Sequence, residues 1–208
     1  MKRRDFAINS VAAASLATLP LASLAQKRKD AVVLGMTLEP TGLDPTAGAA
    51  SAIAEIVQYN VFETLTKVNS DGSVTPLLAE SWEVSPDLKT YTFKLRKGVK
   101  FQNGEPFNAN TVKFSFERAA GEKSTNKDKR TFASMERVGV VDEHTVVVIN
   151  KELNPDFLFL MGQATAILVE PKSADTNATK PVGTGPYKLE SWNKGASVTL
   201  AKWPEYRN

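Results

Sequence analysis

Apolar positions along this chain change their period several times, and each change marks a new element. Ala31–Met36 is a short unbroken apolar run, which predicts a buried strand. Thr37–Gly48 carries two prolines and two glycines and reads as loop. From Ser51 onward, Ile53, Ile56, Val57 and Val61 recur at helical spacing, with Ser51 placed to cap. Thr64–Val68 and Val74 then flank Asn69-Ser70-Asp71-Gly72, whose Asp-Gly pair signals a hairpin. Thr90–Leu95 alternates cleanly, with Tyr91, Phe93 and Leu95 on one face and Thr90, Thr92 and Lys94 on the other.

Asn103-Gly104 and Pro106 form a turn before a second helix, Ala109 to Ala119. Asn108 caps that helix, Gly121 ends it, and Val112, Phe116 and Ala119 face inward. Gly121–Arg130 is almost wholly polar and predicts a solvated loop. Val138–Val141 and Thr145–Ile149 pair across Asp142-Glu143-His144. Asn154-Pro155 opens a short helix reaching Gly162, with Pro155 at its first position, where a missing N–H does no harm. Ala166–Val169 predicts another buried strand, and Tyr187–Trp192 with Ser197–Trp203 a hairpin turning at Asn193-Lys194-Gly195. Trp82, Tyr91, Phe93, Phe114 and Phe116 fall on element faces and read as core; Tyr59 suits core and ligand surface equally. The class is mixed α/β.

The first 25 residues read as an address. Lys2, Arg3 and Arg4 precede an Ala-rich apolar stretch from Ala7 to about Leu24, and Ser23-Leu24-Ala25 fits a cleavage site, putting the cut between Ala25 and Gln26. Arg3-Arg4-Asp5-Phe6 fits twin-arginine export, with the general secretory route as the alternative. An uncleaved anchor is disfavoured, because Asn9, Ser10, Ser15, Thr18 and Pro20 dilute the segment. Removing it changes the charge balance. Three of the 26 basic residues and one of the 23 acidic ones lie there, leaving 23 against 22, net +1. The basic character therefore says nothing of nucleic acid, and none is expected as a partner.

Cysteine is absent, which excludes disulfides, thiolate metal sites, a Cys nucleophile and lipid attachment through an N-terminal Cys. His144, the single histidine, sits in a polar turn, and a zinc site lacking Cys and a second His is not expected. Ser191-Trp192-Asn193-Lys194 matches the S-x-x-K pattern of certain serine hydrolases. That chemistry needs the Ser at a helix N-terminus, whereas these residues fall at a strand end and turn. Gly183-Thr184-Gly185-Pro186 lacks the third glycine and following helix of a phosphate loop. No catalytic constellation, cofactor site or metal site emerges, so an enzyme is not expected.

Several blocks together resemble the solute-binding proteins of ABC importers for oligopeptides, dipeptides, glutathione and nickel (family 5). They are Leu43-Asp44-Pro45, Val61-Phe62-Glu63-Thr64-Leu65, the run from Leu77 to Asp87, and the run from Tyr91 to Phe101. Asn103-Gly104-Glu105-Pro106-Phe107 and Pro181-Val182-Gly183-Thr184-Gly185-Pro186-Tyr187 complete the set, collinear over residues 31–208.

The resemblance implies an incomplete lobe of the periplasmic binding protein type II kind, with a small α+β accessory domain inserted. Residues 26–61 and 179–208 correspond to the first lobe, residues 62–178 to the insertion, and the second lobe is absent. It further implies a periplasmic, monomeric receptor that captures a peptide or related small solute and delivers it to an ABC permease in the inner membrane. The chain stops inside a family motif, at Trp203-Pro204-Glu205-Tyr206-Arg207-Asn208, so transport by this polypeptide alone is not expected. Thr46–Ile53 matches the stretch by which relatives touch ligand from the first lobe, making Ala49, Ala50, Ser51 and Ile53 candidate ligand contacts. Arg130 corresponds roughly to a ligand-facing arginine of nickel-binding relatives. Two alternatives remain open: an S-x-x-K serine hydrolase, and a stand-alone interaction domain.

Overall fold

A strand whose side chains alternate between apolar and polar buries one face, and Tyr91, Phe93 and Leu95 are all buried here. The computed structural model describes residues 30–207. In chain order these residues form α1 (Ser51–Val57), β1 (Thr66–Val68), β2 (Val74–Pro76), β3 (Ala79–Val84), β4 (Thr90–Leu95), α2 (Ala109–Ala120) and α3 (Lys129–Ala133). β5 (Met135–Asp142), β6 (Thr145–Asn150), α4 (Phe157–Leu160), β7 (Tyr187–Asn193) and β8 (Ser197–Lys202) follow, with a 3-10 turn at Ala164–Ala166. Met36–Asn208 makes one compact unit.

The centre is an antiparallel sheet in the order β3-β4-β6-β5. Tyr91 pairs with Val148 and Phe93 with Val146, so the apolar rows of β4 and β6 lie side by side. α2 covers this face with Val112, Phe116 and Ala119; Phe132, Phe157 and Met161 close its sides. Asn108 starts α2 as expected: its side chain accepts from the Asn110 and Thr111 N–H groups, while its own N–H donates to the Thr111 hydroxyl. β1 pairs with β2 through Gly72, and β7 with β8 through Gly195, two turns that need positive φ.

A second apolar cluster gathers Leu43, Ile53, Ile56, Val57, Val61 and Phe62 with Ile167, Val169 and Ala174. Leu189, Trp192, Val198 and Leu200 of the β7–β8 hairpin pack against it half-buried, as does Phe114. The core thus divides between a cluster under the four-stranded sheet and one around α1.

The structure departs from the sequence pattern at six places. Ala31–Met36 forms no strand, and Val32, Val33 and Leu34 are exposed. An apolar run becomes a strand only where a neighbouring edge takes its N–H and C=O groups, and no described strand does so. Ala166–Val169 is buried as expected but is no strand either. Its donors are satisfied one at a time, Leu168 N–H by the Glu63 carbonyl and Val169 N–H by the Ser115 hydroxyl. Ser51 does not cap α1; Ala50 holds that position without a side-chain bond. Val61 lies beyond the end of α1, buried through a loop contact rather than a helix face. Pro155 precedes α4, whose N-cap is Asp156.

The polar stretch Gly121–Arg130 is no free loop. Asn126 is buried, donating to the Thr165 carbonyl and accepting from Asp128 N–H, while the Thr165 hydroxyl donates to Asp128. Lys129 and Arg130 already belong to α3. Polar composition predicts solvation only where no buried partner is offered. The signal segment, with Arg3, Arg4, Ala25 and Gln26, lies outside the described residues.

Candidate functional site

The segment after Leu43 is shaped by one buried carboxylate. Asp44 is 3% exposed and accepts from both the N–H and the hydroxyl of Thr46, at 2.8 and 2.6 Å. Its carbonyl accepts from Ala47 and Gly48 N–H, winding the chain into a tight turn. Arg118 reaches this turn from the last part of α2, donating to the second Asp44 oxygen at 3.2 Å and to the Thr46 hydroxyl at 2.5 Å. The same guanidinium donates to the Ala174 carbonyl, and the Thr125 hydroxyl donates to the Ala47 carbonyl. A Cβ on Gly48 would stand 2.5 Å from Ile53 Cδ1, so a side chain there would have to displace the end of the Ile53 side chain.

The candidate contacts divide at this point. Ala49 and Ser51 are exposed and Ala50 is half-buried at the start of α1. Ile53 is 1% exposed, its side chain inside the second apolar cluster. Arg130 is exposed on α3, with no ion pair among the described residues. Tyr59 turns out to be structural. Its backbone takes φ +60, and its hydroxyl donates to the Gly162 carbonyl at 2.7 Å and accepts from Val68 N–H.

A second buried carboxylate organises the other end. Glu63 is 2% exposed and accepts from the Thr184 hydroxyl, the Tyr206 hydroxyl and both terminal nitrogens of Arg207. Burial, with the Glu63 charge adding to it, holds the Tyr206 phenol above its ordinary range. Beside this junction Gly183 and Gly185 press against the Val61 and Asn60 carbonyls, where added Cβ atoms would stand 1.8 and 2.4 Å away. Gly185 N–H donates to Val61 and Tyr187 N–H to Asn60, so the glycine motif is a close backbone crossing followed by a strand. Nothing about it resembles an anion loop. The spacing of Gly183 and Gly185 was the available signal; their partners, Val61 and Asn60, lie more than a hundred residues earlier and were not readable. A shallow cleft of about 270 Å³ opens here, lined by Gly98, Val99, Lys100, Thr184, Trp203, Glu205 and Arg207. It shares no lining residue with the Thr46–Ile53 loop.

Ser191 lies within β7, at a register shift, and Lys194 sits in the exposed hairpin turn with its ammonium 5.1 Å from the centre of the Trp192 ring. No helix presents the pair, so the hydroxyl lacks the amine one turn away that would take its proton. Among the described residues no group of acidic, His or Cys side chains is arranged to hold a metal.

A profile described as bacterial extracellular solute-binding proteins, family 5, middle region, matches residues 73–208. This chain belongs to that family. It is 31% identical over 202 residues to the glutathione-binding protein GsiB of Escherichia coli K12, covering 95% of this chain and 39% of that protein. The Salmonella choleraesuis counterpart is 33% identical over 200 residues. Among solved structures, the binding protein AgaA in complex with agropinic acid superposes with TM-score 0.74 at 29% identity, covering 82% of this chain and 35% of that one. The Helicobacter pylori periplasmic binding protein DppA with a bound peptide gives 0.71 at 27%, covering 80% and 38%. The mixed α/β class and the periplasmic-binding-protein lobe agree with these neighbours. The family-5 chain described here spans about 39% of the length of the curated relatives it matches.

Proposed function

We propose that this chain is part of the substrate-binding component of an ABC importer, acting in the periplasm on a small peptide, glutathione or a related solute and passing it to an inner-membrane permease as a monomer. The observation that carries this is the turn Thr46–Ser51, exposed at Ala47, Ala49 and Ser51 and held in one shape by Asp44 and Arg118, in a chain whose relatives are named for binding glutathione and peptides. Ala49, Ala50 and Ser51 offer backbone groups at its surface, and Ile53 supports the wall from behind. Arg130 serves as surface charge in this scheme.

The domain scheme belongs to the same proposal. Residues 26–61 and 179–208 are the first-lobe segments, and residues 62–178 are the inserted accessory domain. The larger apolar cluster, from Leu65 to Leu168, supports it by lying wholly inside the insertion; the other joins Leu43–Val61 to the β7–β8 hairpin, and Phe62, Ile167, Val169 and Ala174 of the insertion pack into it as the seam between the two.

A single wet wall binds weakly. Dipolar contacts at a hydrated surface add about 1 kcal/mol each, against roughly 4 kcal/mol or more of lost translational and rotational freedom. Affinity for glutathione or a di- or tripeptide is therefore expected at about millimolar or weaker for this wall acting without an opposing surface. Two-dimensional NMR during titration with reduced glutathione and a mixed peptide library tests this. Shifts confined to amides of residues 46–53 are expected. Shifts elsewhere, or none at saturating solute, would remove the loop from the site.

A further inference from the structure

We infer that Arg118 is a positioning residue for the ligand-facing loop: through it, helix α2 sets the shape of a turn 72 residues earlier in the chain. This rests on the proposal that Thr46–Ser51 faces solute, and it adds which residue outside the loop governs its geometry.

The turn has little to hold it by itself. Asp44 and Thr46 form a local pair, and Ala47 and Gly48 bond back to Asp44. Such a turn in isolation exchanges among conformers, because each of its bonds competes with water. Arg118 removes that freedom. Its planar fork spans two acceptors of the turn, the Asp44 carboxylate and the Thr46 hydroxyl, and a third on the segment carrying Ala174. The Arg118 side chain is 28% exposed and Asp44 2%, so the pair is screened only on one side. Charges on every element facing Arg118 matter here. Asp44 is the only carboxylate within ion-pair distance of it among the described residues, and neighbouring Glu117 is paired with Lys113 on the exposed side of α2. Thr125 adds a further tie to the Ala47 carbonyl from the segment after α2. Past Gly48, Ala49 and Ser51 stand exposed, so any rotation of the turn moves them directly.

The consequence concerns recognition. A residue that never touches solute would set the position of those that do. Lysine cannot replace it fully, since one ammonium cannot span three acceptors in a plane.

The test uses the 208-residue protein and hydrogen exchange of individual amides. Arg118→Met should speed exchange at Ala47 and Gly48 about tenfold while Thr111–Phe116 stay protected, because local opening then needs no break in the helix. Arg118→Lys should fall between wild type and Arg118→Met, a graded rescue that loss of packing alone would not give. Unchanged exchange at Ala47 and Gly48 in Arg118→Met overturns the inference. Should that variant also lose protection in α2, Arg118→Gln keeps a polar stem but not the charged fork, leaves the Thr46–Asp44 bond in place and is read by the same criterion. Glutathione titration of wild type is scored separately: absence of loop shifts there defeats the proposed site, and the exchange data still decide the role of Arg118.

Discussion

Arg207 grips the Glu63 carboxylate with both terminal nitrogens, at 2.7 and 2.6 Å, from 144 residues further along the chain. The pair is asymmetric: the Glu63 side chain is 2% exposed and that of Arg207 23%. Removing the arginine leaves a buried charge held only by the Thr184 and Tyr206 hydroxyls, whereas neutralising the carboxylate leaves a guanidinium that can turn to water. Arg207→Leu is expected to cost about 2–4 kcal/mol, somewhat under the fully buried limit, and Glu63→Gln, whose amide oxygen still accepts from the two hydroxyls, less. Urea unfolding followed by circular dichroism measures both, and the reverse order would contradict the burial asymmetry.

Gly183 and Gly185 should tolerate no side chain. A Cβ at Gly183 would sit 1.8 Å from a backbone oxygen that cannot move aside. Gly183→Ala is expected to lose about 3 kcal/mol or more, or to abolish soluble expression. Gly139→Ala is the comparison, since its nearest neighbour is the Arg137 side chain at 3.3 Å, which can swing away. That substitution should stay within about 0.5 kcal/mol of wild type by the same measurement.

Alkaline pH should loosen the fold through two tyrosines. Burial raises the phenol of Tyr91, with the Asp156 charge adding to it, and burial followed by the Glu63 charge raises that of Tyr206. A raised native pKa contributes stability that is complete below the unfolded value near pH 10 and is lost as pH rises through the native value. Unfolding free energy should therefore fall above about pH 10, and Tyr206→Phe should flatten that fall in a urea series. Asp71, Asp87 and Asp142 act oppositely. Hydrogen bonds from Ser73, Ser85 and the His144 N–H lower them, so their contribution is present above about pH 3.9 and is lost on further acidification.

Export should depend on the first residues. Periplasmic protein is expected to begin at Gln26, which mass spectrometry of the N-terminus reads. Lysine at both Arg3 and Arg4 should leave the precursor in the cytoplasm, since the twin-arginine route discriminates against that change. Undiminished export of the double variant would assign the segment to the general secretory route.

Local rules carried much of this protein. Thr90–Leu95, the Asn108 cap, the glycine turns at 72 and 195 and the β7–β8 hairpin follow from period, capping and backbone freedom, all properties of neighbours in sequence. The ordered family blocks were legible for the same reason, being contiguous strings. The roles of several of those blocks were not. That Asp44 answers to Arg118, and Glu63 to Thr184, Tyr206 and Arg207, depends on pairings across 74 to 144 residues. Nothing in the strings announces them, because a buried carboxylate and a surface one are the same letter. The same limit explains Val32–Leu34, apolar yet exposed, and Ile167–Val169, buried yet not a strand. Whether an apolar run becomes a strand depends on which acceptors lie beside it, and only the tertiary structure decides that.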